Sequence, residues 1–145
     1  KRYASGGGRI VVEWRGWRIC PLVCYDLRFP VFSRNRHDAD GGFDYDLLLY
    51  VACWPSPRAH AWSTLLRARA IENLCYVAGV NRVGVDGNGH EYSGASAVLD
   101  FLGQPLSQDS DRELVTTTTL SMEGLQAHRT HFPAWMDADA FTLKV

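Results

Sequence analysis

The sequence predicts an α/β layered sheet, on three observations. Apolar runs over residues 19–23, 45–54 and 76–85 are continuous rather than alternating, which is how strands buried on both faces read. Between the second and third runs, apolar positions recur near period 3.6, the signature of a helix with one buried face. Strand, helix, strand in that order argues for helices layered on a sheet. At 145 residues, with 46% apolar and 21% charged residues, the chain suits one domain with a sizeable core.

The elements follow in order. Gly6-Gly7-Gly8 is a turn, residues 9–14 a strand, and Arg15-Gly16 turns the chain into the strand that ends at Cys24. Residues 29–35 suit a short helix, and 36–44, with Gly41-Gly42, a polar loop. The second buried strand covers 45–54. Ser56 is a preferred N-cap residue and Pro57 a preferred first helical residue, so the helix is expected from there to about Cys75. Its apolar stripe is Trp62, Leu65, Leu66, Ala70, Asn73 and Leu74. Residues 76–85 form the third strand, stopped by Asp86-Gly87-Asn88-Gly89. Residues 94–106 and 112–120 read as two more strands, the latter because Thr116–Thr119 is β-branched. Residues 122–131 read as a short helix, followed by an extended tail.

Composition excludes several function classes. Net charge is −1 with Lys and Arg scattered, so no nucleic-acid or membrane surface is expected. No apolar run approaches the ~20 residues that span a bilayer. The chain opens on Lys1-Arg2 without a signal peptide or an initiator Met, which suggests a processed, truncated or excised chain. Cys20, Cys24, Cys53 and Cys75 show neither metal nor small-domain disulfide spacing, which fits reduced thiols in a cytoplasmic protein. His37, His90, His128 and His131 show no metal-binding spacing, and no metal or other cofactor is expected. Asp38, Asp40, Asp44 and Asp46 lack an EF-hand's ordered ligands and read as a solvated loop.

Cys24 is the leading candidate for chemistry. It stands where an apolar strand stops at Cys24-Tyr25-Asp26-Leu27-Arg28, and open α/β sheets place ligands at the carboxyl ends of strands. A bend there exposes the sulfur and turns the following amides toward a reacting carbonyl. The segment alone is equally consistent with a buried structural thiol. Cys20, Cys53 and Cys75 read as structural. Glu72 is expected to pair with Arg69 on the helix surface, worth tenths of a kcal/mol.

Several ordered segments resemble the nitrilase, or carbon–nitrogen hydrolase, superfamily. Gly16-Trp17-Arg18-Ile19 followed by Cys24-Tyr25-Asp26-Leu27-Arg28-Phe29-Pro30 is similar to its nucleophile motif. Asp46–Ala52 with Trp54-Pro55, His60-Ala61-Trp62, Leu66–Asn73, Tyr76–Gly84 and Tyr92–Ser96 follow in the family's order. Phe132-Pro133-Ala134-Trp135 resembles the omega-amidase-like branch.

The resemblance implies a Glu-Lys-Cys triad acting on a small-molecule amide, with Cys24 as nucleophile and the Tyr25 backbone N–H as an oxyanion donor. Trp54 would line the pocket, and His60 would shape its entrance. Arg28 has two readings, a partner for a substrate carboxylate or a structural ion pair with Asp26 or a nearby loop. The chain's lysines are Lys1 and Lys144, and neither matches the family's upstream lysine. Residues 1–145 are therefore expected to be one partial domain, the C-terminal half of a four-layer α-β-β-α sandwich. The N-terminal half, with the Glu and Lys, would be its missing partner. The family also implies a homodimer or higher homo-oligomer.

Overall fold

The computed structural model describes residues 6, 8–38, 42–107 and 112–139. Its main sheet has five strands in the order β1-β2-β3-β4-β7: β1 (Val12–Trp14), β2 (Trp17–Val23), β3 (Leu47–Ala52), β4 (Tyr76–Asn81) and β7 (Ala97–Leu99). The central three are parallel, with antiparallel strands at both edges. β5 (Val83–Val85) and β6 (Glu91–Ser93) form a separate hairpin. The helices are α1 (Pro30–Ser33), α2 (Ala59–Asn73) and α3 (Met122–His131). None of the described helices is long and apolar enough to cross a membrane.

Register sorts the side chains into two faces, because alternate residues of a strand point opposite ways. Cys20, Leu48, Val77 and Leu99 form one row across the sheet, and Leu22, Tyr50, Gly79 and Ala97 the next. Both rows are buried and pack with Trp62, Leu66 and Ala70 of α2. Each such large apolar side chain contributes roughly 1.5–3 kcal/mol by leaving water. Gly79 permits the close approach of α2, since a Cβ there would stand 2.5 Å from Leu66 Cδ1. The opposite face carries Val23, Val51 and Val80, one row that remains 48–62% exposed. The sheet thus has one apolar face covered by α2 and a second face that stays partly open, as in a layered α/β architecture.

Most elements lie where the sequence predicts them, and the departures have physical causes. Ser56 caps nothing: residues 56–58 form a 3-10 turn, and α2 begins at Ala59. The helix stops one residue before Cys75, at Leu74 in the left-handed conformation (φ 47°). The expected strand 76–85 breaks after Asn81, and β5 leaves the sheet to pair with β6. Residues 94–106 contribute only β7, and 112–120 form no strand, because the Thr run has β propensity but no ladder partner. The expected helix over 29–35 is the single turn α1. The predicted helix 122–131 is α3, capped by Ser121 Oγ, which accepts from the Gly124 N–H at 3.0 Å. The tail after it holds a 3-10 turn at 134–137. Gly7, Asp40 and both lysines lie outside the described residues.

The aspartate loop is the largest correction. Asp44 pairs with Arg9 and Arg36, and Asp46 is 1% exposed between Arg18 and Arg129, at 2.9 and 2.8 Å. Burial alone raises the Asp46 pKa, but hydrogen bonds from Arg18 and Arg129 outweigh it and hold the carboxyl below its ordinary 3.8. Arg129 also donates to the carbonyls of Leu74 and Tyr45, and Asn35 and Asn73 complete the network. Among the described residues no group of three His, Cys, Asp or Glu side chains is arranged to hold a metal.

Candidate active site

The parallel strands β2, β3 and β4 end side by side at Val23, Ala52 and Asn81. Residues 24–28 close β2 with a 3-10 turn, and Cys24 is its first residue. The Cys24 φ of 44° lies in the left-handed region, uncommon for a residue with a side chain. Strained backbone of this kind persists only where neighbours hold it. Here Asp26 Oδ2 accepts from the Val23 N–H at 2.9 Å, closing the turn from beneath. Arg69, 3% exposed on α2, donates to the Leu27 carbonyl at 2.6 Å and pairs with Glu72 at 2.9 Å. The expected Arg69–Glu72 pair thus anchors the turn that carries Cys24.

The bend presents the Cys24 thiol half-exposed to a cleft of about 350 Å³, also lined by Tyr25, Arg28, Cys53, Trp54 and Arg58. Cys24 Sγ stands 3.9 Å from the Cys53 carbonyl oxygen. As first-turn residues, Cys24 and Tyr25 have backbone N–H groups with no acceptor inside their own helix. Amides of that kind, beside a thiol, suit a developing oxyanion.

Arg28 makes no ion pair among the described residues, because Asp26 is engaged with Val23 instead. Its guanidinium stands 4.9 Å from the centre of the Trp54 ring, over its face. Trp54 is buried, its indole N–H donating to the Arg58 carbonyl at 2.8 Å. Asn81 braces the backbone of Trp54 from both sides: its Oδ1 accepts from the Trp54 N–H at 2.7 Å, and its Nδ2 donates to the Trp54 carbonyl at 3.0 Å. The same Nδ2 donates to the Gly94 carbonyl.

Cys24, Tyr25, Arg28 and Trp54 therefore share one cleft. His60 is exposed on the first turn of α2 and is not among the cleft residues. Sequence reasoning missed Arg58, Asn81 and the environment of Cys53, which is exposed and lines the cleft rather than filling the core. Cys20 and Cys75 are buried as expected; burial pushes the Cys20 thiol up to about 11 and Cys75 higher still, so neither supplies thiolate near neutral pH. The larger trough, about 1000 Å³, runs over the outer side of β4 and β7 under residues 112–116. It meets the cleft at Cys53 but does not reach Cys24.

The sequence pattern of the carbon–nitrogen hydrolase family matches residues 1–130. The chain is 57% identical over 142 residues to omega-amidase YafV of Yersinia enterocolitica, covering 97% of this chain and 53% of that protein. Its structure is similar to that of a carbon–nitrogen hydrolase superfamily protein from Xanthomonas campestris that holds an arsenic adduct in its active site. The TM-score is 0.95 and the identity 63%, over 99% of this chain and 55% of the other. It is also similar to an amidase from Nesterenkonia sp. carrying acrylamide added at its active-site cysteine, with TM-score 0.70 and identity 27%, over 91% of this chain and 50% of that one. The chain spans about half the length of the curated relatives it matches.

Proposed function

As this chain belongs to the carbon–nitrogen hydrolase family, we propose that its full-length protein hydrolyses the C–N bond of a small linear ω-amide and releases ammonia. The observation that carries this is Cys24, held at a left-handed bend at the end of β2 and open to a cleft. In the proposed reaction the Cys24 sulfur attacks the amide carbon. Negative charge develops on the carbonyl oxygen, where the Tyr25 N–H donates to it. The C–N bond breaks and the nitrogen leaves as ammonia after taking a proton. Water then attacks the thioester, freeing the acid and restoring the thiol. By family resemblance a Glu is the base and a Lys ammonium shares the oxyanion. Both lysines lie outside the described residues, and Glu13 stands exposed on the edge strand β1.

Arg28 supports an amide with a carboxylate at its far end, such as a 2-oxo acid amide. The similarity to an omega-amidase of Yersinia enterocolitica supports the same class. A nitrile or a carbamoyl amide as substrate is the nearest competing assignment. We place the protein in the cytoplasm, as a homodimer or higher oligomer acting on a small molecule. Purified full-length protein is expected to release ammonia from ω-amides, and Cys24→Ala to lower that rate by at least about 10³-fold. An alanine variant that keeps its rate would remove Cys24 from this role.

A second reading is an incomplete module that needs its other half or a second chain. The exposed valine row on the outer sheet face favours it. The isolated 145-residue chain is then expected to associate on a sizing column. A sharp monomer peak with cooperative unfolding would count against it.

A further inference from the structure

We propose that Arg58 is a specificity-determining residue of the Cys24 cleft, a second cation acting with Arg28 on the anionic group of the substrate. The inference rests on Cys24 being the nucleophile of that cleft. Arg28 enters from the turn after β2 and exposed Arg58 from the turn before α2, and both residues line the same small space. Among the described residues no Asp or Glu lines that space. Elsewhere Arg9, Arg18, Arg36, Arg69 and Arg129 each carry a carboxylate partner, whereas Arg34 and Arg67 donate to backbone carbonyls and Arg15 and Arg82 lie over aromatic rings. Among the described residues Arg28 rests on the Trp54 ring.

The contribution of Arg58 to the fold is its backbone carbonyl, which holds the Trp54 indole, and no described carboxylate neutralises its side chain. The positive end of α2 begins at the next residue and adds charge of the same sign. A cleft with two unneutralised cations beside a thiol favours an anionic amide over a neutral one of equal length. Guanidiniums suit a carboxylate head because each donates two parallel hydrogen bonds.

Alkylation of Cys24 tests this without requiring turnover. Sulfur attacks the probe's methylene carbon, the S–C bond forms and iodide leaves. Iodoacetate carries a carboxylate and iodoacetamide does not, so the ratio of their rates at Cys24, read by peptide mass spectrometry, measures the field of the cleft. Arg58→Ala is expected to lower that ratio by about two- to five-fold, the size of a solvent-accessible ion pair, and Arg58→Lys to restore much of it. The effect is expected to shrink with added salt. Because the carbonyl at position 58 remains, the variant is expected to unfold at the parent temperature.

In the full-length protein, Arg58→Ala is expected to raise KM for a carboxylate-bearing ω-amide by a similar factor, with kcat within about twofold and a neutral amide unaffected. An unchanged alkylation ratio, or equal KM increases for both amides, would overturn the role of Arg58. Failure of Cys24 to react ahead of the buried Cys20 and Cys75 would instead overturn the nucleophile assignment beneath it.

Discussion

The two ends of the parallel strands are built to opposite rules. At the amino end, Asp46 sits between Arg18 and Arg129, with Asn35, Asn73 and the carbonyls of Tyr45 and Leu74 completing a closed network. At the carboxyl end, Arg28 and Arg58 face a cleft without a carboxylate, and Cys24 has a strained backbone and a half-open thiol. Polar groups that satisfy one another hold a fold together. Polar groups left facing a cleft are available to something that enters it. The same sheet thus separates a closed fastening from an open cleft.

The sharpest way to break this comparison is to open the network. Arg129→Ala leaves Asp46 buried with one partner fewer and is expected to cost about 3–5 kcal/mol in urea unfolding. Replacing both Arg129 and Asp46 with apolar residues is expected to cost less, because no lone charge remains. If Arg129→Ala unfolds at the parent urea concentration, the amino end is not a fastening.

At the other end, Asn81→Ala removes the brace on Trp54 and orphans its backbone groups, for an expected loss of about 1–3 kcal/mol. Because the brace sets the cleft wall, alkylation of Cys24 is expected to change as well. A stability loss with an unaltered alkylation rate would separate Asn81 from the site.

Acid gives the mildest test. The folded pKa of Asp46 lies below its ordinary 3.8, so its stabilisation is fully present above that value and is lost as pH falls through the folded pKa. The urea midpoint is expected to drop in that acid range, and Asp46→Asn to flatten the drop. Parallel curves for parent and variant would mean that the pairing does not set acid stability.

The two ends were not equally legible in the sequence. The bend at Cys24 was readable because its signals are local: an apolar strand stops, and a thiol and a cation follow within five residues. The closed network was not, because Asp46 and Arg129 lie 83 positions apart and become neighbours only when α3 docks beside the start of β3. Asp46 therefore looked like one member of a solvated acidic loop. Arg58 was missed for the opposite reason. It stands beside Ser56 and Pro57, whose capping signals assigned that stretch to a helix start and drew notice from the cleft. The Thr run at 116–119 shows what local propensity leaves out, since a strand also needs a free neighbour to pair with.

The left-handed backbone at Cys24 sets stability against chemistry at a single position. Glycine adopts that conformation without strain, so Cys24→Gly is expected to relieve about 1 kcal/mol even as it removes the sulfur. Selection for robustness alone would drift toward glycine here, and on the role proposed for Cys24 a screen for thermostable variants is expected to enrich inactive ones. On the role proposed for Cys24, a cysteine at this bend holds the fold slightly below its own stability optimum.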